Sequence, residues 1–300
     1  MIGLATAMAA LLGLALYEVL DDDRDDADTD GDEGEAVGGA ADDVSATGLG
    51  DLLAIASAEG PDPAPAASGG VMAFPDPDDV VGGPADDRIA ARDTGDVIKG
   101  FRGDDRIDGG DGRDLIFGGL GDDQMDGGAG GDTVLGGSGQ ESSTGGTGAD
   151  LLLGGGGSDF LVGDEGADTI VGGAGADRLV GIEAFGDLAF TQVEAAGDVI
   201  VGGDGDDVIA AGDADSIFAG SGADTVSAGD WIEGDRTAVI YDFDPSVDRL
   251  EILSRDFGDA VLDVRDVAGG DTVLVLDGAA VVRLVGVADL PLDALAFRPF

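Results

Sequence analysis

The sequence predicts an all-β protein, a parallel β-roll solenoid of nonapeptide repeats with a C-terminal β-rich cap and an N-terminal apolar helix. Three observations predict it. A nine-residue phrase, G-G-x-G-x-D-x-U-x with U apolar, runs in one phase from about Gly82 to Val180 and returns from about Val193 to Ser227. After Ser227 the pattern changes to alternating strands, and Ile2 to Leu20 is almost wholly apolar. A short fixed period marks a solenoid, in which each repeat stacks on its neighbours.

Residues 1–20 form the predicted helix. Only Thr6 and Glu18 interrupt the apolar run, whose 19 residues would reach roughly 28 Å as a helix, about one bilayer core. No Lys or Arg precedes it, the first being Arg24, whereas a cleavable signal peptide carries a positive leader. The segment 2–20 is read as a candidate membrane anchor, with a signal peptide and an interfacial or buried helix as alternatives.

Residues 21–81 read as a tether. Its acidic start contains Asp26, Asp28, Asp30 and Gly31, spelling D-x-D-x-D-G, but Val37 stands where an EF-hand loop needs its closing Glu. A solvated acidic linker explains the match. The remainder is rich in Ala, Gly and Pro, including Pro61, Pro63, Pro65, Pro75 and Pro77, a composition that keeps a chain extended.

The first repeat block spans 82–180 and the second 193–227. Seven copies match in full, beginning at Gly109, Gly118, Gly127, Gly145, Gly154, Gly172 and Gly202. Four more, at Gly82, Gly100, Gly163 and Ala219, depart at one position each, while the copy at Gly136 has Glu141 for Asp and Ser143 for the apolar residue. Residues 181–192 break the phase and are expected to bulge as a surface loop. Within a copy, six residues should turn and three should form a strand, with the apolar eighth residue facing inward.

Residues 228–300 are the predicted cap and a candidate secretion signal. Ala238 to Phe243 and Arg249 to Leu253 read as strands flanking Asp244-Pro245-Ser246. Thr272 to Leu276 and Ala280 to Val285 flank Asp277-Gly278, a hairpin signal. Leu290 to Phe297 reads as a short helix or a final strand. Covering the open end of a roll protects a sheet edge that would otherwise invite pairing with another chain.

Composition narrows the chemistry. Asp and Glu total 64 against 14 Lys and Arg, for a formal charge of −50. Nucleic acid is therefore excluded as a partner, since binding it needs excess positive charge. The chain has neither Cys nor His, which removes thiol chemistry, Ser-His and Cys-His pairings and the usual transition-metal ligands. A bound metal must take oxygen ligands alone, pointing to calcium or magnesium.

The sixth-position acids are the candidate ligands: Asp87, Asp96, Asp105, Asp114, Asp123, Asp132, Asp150, Asp159, Asp168, Asp177, Asp198, Asp207, Asp215 and Asp224, with Glu141 in the weak copy. If two copies make one coil, copies n and n+2 stack and their carboxylates lie about 4.8 Å apart. At an effective dielectric near 20 such a pair repels by roughly 3 kcal/mol, so several pairs would erase a typical stability of about 5–15 kcal/mol. A divalent cation between coils reverses the sign. Calcium accepts six to eight oxygens in flexible geometry, whereas magnesium demands a tighter octahedron and keeps its water. Nine same-side pairs in the first block and two in the second set a ceiling of about eleven ions, and eleven would cancel 22 of the 50 negative charges. Binding and folding should then be one linked event.

The phrases GGDGRDLIF, GGLGDDQMD, GGAGGDTVL and GGAGADRLV resemble the hemolysin-type RTX calcium-binding repeats of secreted Gram-negative proteins, a motif that is a standard example of a calcium-binding β-helix repeat. The tail, VIYDFDPSVDRLEIL then DTVLVLDGAAVVRLVGV, is similar to the segment that follows such repeats. The resemblance implies calcium held by sixth-position Asp and turn carbonyls, and export through a type I secretion apparatus by an uncleaved C-terminal signal. It also implies a chain kept unfolded in calcium-poor cytosol.

These readings converge on a non-enzymatic, calcium-binding extracellular or cell-surface roll with a structural, adhesive or secretion-supporting role. The alternative is a calcium-dependent module that binds cell-surface polysaccharide or accompanies an enzyme, for which Trp231, Tyr241, Phe101, Phe117 and Phe160 are the candidate sugar-stacking rings.

Overall fold

Apolar residues nine apart, each flanked by polar or glycine neighbours, can share one interior only if the chain reverses after every copy. The computed structural model describes residues 71–73, 79–91, 95–181, 197–229, 231–232, 236–255, 258–267 and 269–299, and it shows that reversal. Successive copies alternate between two sheets, which contain 11 and 12 strands among the described residues. Pairing along the repeats is parallel throughout: Arg88 lies beside Arg106 and Ile89 beside Ile107 in one sheet, Val97 beside Leu115 and Ile98 beside Ile116 in the other. No helix occurs among the described residues. The N-terminal helix and the tether up to residue 70 lie outside them.

The eighth-position row forms the core. From Ile89 through Ile116, Leu152 and Ile170 to Val226, every member is buried, with Met125 the most exposed at 3%. Neighbouring residues point the other way, as alternation in a strand requires. The two outer faces differ. On the second sheet, Lys99, Phe117, Leu135, Leu153, Val171, Val201 and Phe218 stack in register, whereas the matching row of the first sheet includes Asp108, Asp126 and Thr144.

Most repeat strands are six residues long, such as Leu115–Leu120 and Thr133–Ser138, twice the expected three. The reason lies in the second glycine. Gly110 pairs with Gly128 after the first glycine is skipped, and their φ angles of 100° and 104° bend the chain while keeping its amide aimed at the next coil. Where the phrase lacks that glycine, the conformation persists: Phe101 has φ 81° and Asp164 φ 68°, a region costly for residues with a Cβ.

The break after Val180 leaves the stacking intact. Thr169 pairs with Val199 and Arg178 with Val208, so the break in phase displaces neither sheet. Residues 182–196, which include most of the expected loop, lie outside the described set.

C-terminal strands continue both sheets. Ala238–Ile240 and Arg249–Ser254 join different sheets, each parallel to the preceding coil. Asp271–Leu276 and Ala279–Leu284 form the expected antiparallel hairpin, with positive φ at both Asp277 and Gly278. Of the two readings of the final segment, a strand is found, Leu295–Pro299, paired parallel to Arg249–Ser254.

Candidate metal centre

Each turn places its sixth-position Asp immediately before the next strand, buried between coils. These side chains are buried as deeply as the core: Asp87 is the most exposed of them at 6%. Two bonds tie each step between stacked Asp residues. The N–H of Arg106 donates to the carbonyl of Asp87 at 2.9 Å, and the N–H of Asp87 donates to Oδ1 of Asp105 at 2.8 Å. The second bond recurs from Asp105 to Asp123 and from Asp159 to Asp177 on one side of the roll. On the other it runs from Asp96 to Asp114, Asp114 to Asp132, Asp132 to Asp150 and Asp150 to Asp168. In the second block, Asp198 donates to Asp215 and Asp207 to Asp224.

Two steps were invisible to the repeat phase. Asp168 donates to Oδ1 of Asp198, and Asp177 to Oδ1 of Asp207, each across 30 residues instead of 18. The ceiling of eleven positions, counted block by block, therefore omitted two stacked pairs. Phase counts residues, whereas stacking counts coils.

The other carboxylate oxygen is left over. Oδ2 of Asp105, Asp114, Asp123, Asp132, Asp150, Asp159, Asp168, Asp177, Asp207 and Asp224 is shielded from water and accepts no hydrogen bond. A buried acceptor without a donor costs about 1–3 kcal/mol, and more when charged. The first glycine shows what faces these oxygens. A Cβ placed on Gly109 would lie 2.5 Å from the carbonyl oxygen of Gly127 and 2.6 Å from Oδ2 of Asp114. At Gly127 the same construction meets Gly145 O at 2.5 Å and Asp132 Oδ2 at 2.7 Å. Glycine thus keeps open a space where a carboxylate and the next coil's carbonyl converge.

An all-oxygen donor set of this kind suits calcium and offers nothing to a softer metal. Among the described residues no three acidic side chains converge on one point, so carbonyls must complete any coordination shell. Burial is the main influence on these acids, opposed by the N–H each accepts and reinforced by neighbouring carboxylates. It pushes Asp105, Asp132 and Asp168 up to about 7, and Asp123, Asp150, Asp207 and Asp224 up to about 6. Asp114 and Asp177 move the same way, as does Asp215, whose Oδ2 accepts the N–H of Gly212 at 2.5 Å.

The copy at Gly136 is the flaw. Both carboxylate oxygens of Glu141 and Oγ of Ser143 are buried without a hydrogen-bond partner. The Glu141 N–H still donates to Asp159 at 2.9 Å. Burial, then the neighbouring Asp159, raises the Glu141 carboxyl well above its ordinary range.

A second, exposed ladder escaped the sequence reading. Fifth-position side chains make the reverse bond one residue earlier, each accepting from the coil that follows: Asp86 Oδ1 accepts from Asp104 N–H, Asp104 from Asp122, Asp122 from Gln140 and Asp206 from Ala223. The signal was an Asp at position five in alternate copies, on one side of the roll alone. Of the candidate rings, Phe101, Phe117 and Phe160 lie in different repeat strands. Tyr241 stacks on Phe218 with centroids 4.9 Å apart and planes 10° apart, and the Trp231 indole N–H donates to Ala211 O at 2.8 Å.

A family model described as the RTX calcium-binding nonapeptide repeat (4 copies) matches residues 81–116, 108–140, 144–179, 194–226 and 212–230. No curated protein matches the chain.

Proposed function

Since this chain is an RTX calcium-binding nonapeptide-repeat protein, matched between residues 81 and 230, we propose that calcium assembles it into a non-catalytic extracellular or cell-surface roll with a structural, adhesive or secretion-supporting role. The ligands in this reading are Asp87, Asp96, Asp105, Asp114, Asp123, Asp132, Asp150, Asp159, Asp168, Asp177, Asp198, Asp207, Asp215 and Asp224, together with turn carbonyls. One observation carries it: the row of water-shielded Oδ2 atoms that accept no hydrogen bond.

Calcium, when bound, supplies the positive charge that the stacked acids lack. The chain's own residues do the rest. Each Oδ1 fixes the register of the adjacent coil through its N–H, each first glycine keeps the space clear, and each eighth-position side chain seals the interior from water. Without neutralisation the ladder opposes its own burial, so a chain in calcium-poor surroundings stays open and one that meets millimolar calcium closes. This supports export as an unfolded chain and folding outside. An anchor through residues 2–20 would keep the roll at the surface.

Calcium titration followed by circular dichroism tests the proposal. The expected course is a coil-like chain becoming β-rich, with chelator reversing the change; a chain equally folded with and without calcium would overturn it.

A second reading, calcium-dependent binding of cell-surface polysaccharide, draws support from the Phe218–Tyr241 stack, in which Tyr241 is 37% exposed. Calcium-dependent binding on a glycan array distinguishes it.

A further inference from the structure

The ladder takes one step beyond the last matched repeat. Thr225 pairs with Arg249, and the Arg249 N–H donates to the carbonyl of Asp224 at 2.8 Å. The Asp224 N–H donates in turn to Oδ1 of Asp248 at 3.1 Å. These are the two bonds that join every regular coil to the next. The local phrase agrees, since Asp248-Arg249-Leu250-Glu251 repeats D-x-U-x, and Leu250 is fully buried in the core row.

Asp248 thus occupies a sixth position without a glycine-rich turn before it. A different turn does that work: Asp248 N–H donates to Asp244 O at 2.8 Å, and Oδ2 of Asp248 accepts the Asp244 N–H at 2.7 Å. Asp87, at the opposite end of the roll, accepts the N–H of Gly83 across the same four residues at 2.7 Å. Between Asp224 and Asp248 the upstream half of an internal site is present, whereas each oxygen of Asp248 already accepts one backbone N–H. Oδ2 of Asp224 is shielded and accepts no hydrogen bond, and Asp224 and Asp248 are 1% and 6% exposed. Asp242 adds a third negative charge beside them, its two oxygens accepting the N–H groups of Ala219 and Gly220 at 2.8 and 3.1 Å.

The opposite side of the roll ends differently. Ser216 pairs with Val239, which sets Ala238 beside Asp215, so that ladder has no further acid. Nearby Asp213 is answered by Arg236 at 3.7 Å. One side closes on a cation of the protein itself; the other adds one more stacked acid, Asp248.

We propose that a calcium ion binds between the last repeat coil and the C-terminal segment, with Asp224 and Asp248 as its carboxylate ligands and Asp242 beside it. The proposal rests on the repeats being calcium sites, and it extends them past the matched repeats to a joint of unrelated sequence. Its consequence is that the same ion which orders the roll also fastens strands Arg249–Ser254 and Leu295–Pro299 to it.

The test is ion counting on the full chain by native mass spectrometry at saturating calcium, with hydrogen exchange measured in parallel. Asp248→Asn is expected to bind one ion fewer than wild type and to exchange faster over residues 249–254 and 295–299, with the repeats unchanged. If that variant does not fold, Asp248→Glu replaces it, and its last ion is expected to need at least tenfold more calcium. An unchanged count and unchanged calcium dependence in the folded variant overturn this proposal alone. A wild-type chain that takes up no calcium overturns the reading of the repeats instead.

Discussion

The backbone N–H of Asp114 donates to Oδ1 of Asp132 at 2.8 Å, although 18 residues separate them, while Oδ2 of Asp132 is sealed from water and accepts nothing. One carboxylate oxygen therefore sets register, and the other is the one that the proposed function assigns to a cation.

Replacing Asp132 should damage both. Asp132→Ala is expected to remove a hydrogen bond to a charged acceptor, about 1.5–3 kcal/mol, and to weaken the two calcium positions it shares with Asp114 and Asp150. Calorimetric calcium titration should show two impaired sites. Asp293→Ala, on an exposed residue outside the ladder, should match wild type.

The pH dependence of the metal-free chain should run opposite to that of most proteins. Asp105, Asp132 and Asp168 titrate near 7 and Asp123, Asp150, Asp207 and Asp224 near 6 when folded, against about 3.9 for an unfolded Asp. A raised carboxyl pKa means that the folded state holds more protons, so its stabilisation is complete below about 4 and is lost as pH rises through 6 to 7. Metal-free protein should therefore show more β-structure at pH 5 than at pH 8, and calcium uptake near neutrality should release protons. Greater metal-free order at pH 8 contradicts this.

Ser143 stands between Met125 and Leu161 in the core row, with its hydroxyl unsatisfied. Ser143→Val should remove an unpaired buried hydroxyl, costing about 1–3 kcal/mol, and add apolar burial. A rise in the midpoint of calcium-loaded thermal unfolding is the expected readout; a fall would show that the site has no room for the larger side chain.

Asp164 holds φ 68° in place of the second glycine, and its charge adds to the burial that raises the carboxyls of Asp126, Asp150 and Asp168. Asp164→Gly should relieve backbone strain of about 1–3 kcal/mol, partly offset by the added flexibility of the unfolded chain. The net gain should be about 1 kcal/mol in denaturant melts, and a destabilised variant would show that Asp164 earns its place through other contacts.

The spacing of Ile89, Ile98 and Ile107 was enough to read the core, and that of Asp87, Asp96 and Asp105 enough to read the ladder, because a fixed period converts directly into stacked rows. Other features depend on what lies between coils. The pairs Asp168 with Asp198 and Asp177 with Asp207 were hidden because an insertion alters residue count without altering stacking. Asp248 was hidden because its turn contains no glycine-rich phrase. The long strands were missed because a glycine at positive φ can bend the chain and still pair, as Gly110 does with Gly128. The apolar row from Phe117 to Phe218 on one outer face becomes evident only when alternate copies are separated into their two sheets.

The 18-residue step that links Asp96 to Asp114 and Asp114 to Asp132 has a consequence for how such a molecule can vary. Every full coil offers its successor the same edge that it received from its predecessor, so a pair of copies can be gained or lost without redesigning any other part. Size is then a matter of how many times the unit is copied, and only the two ends need sequences of their own.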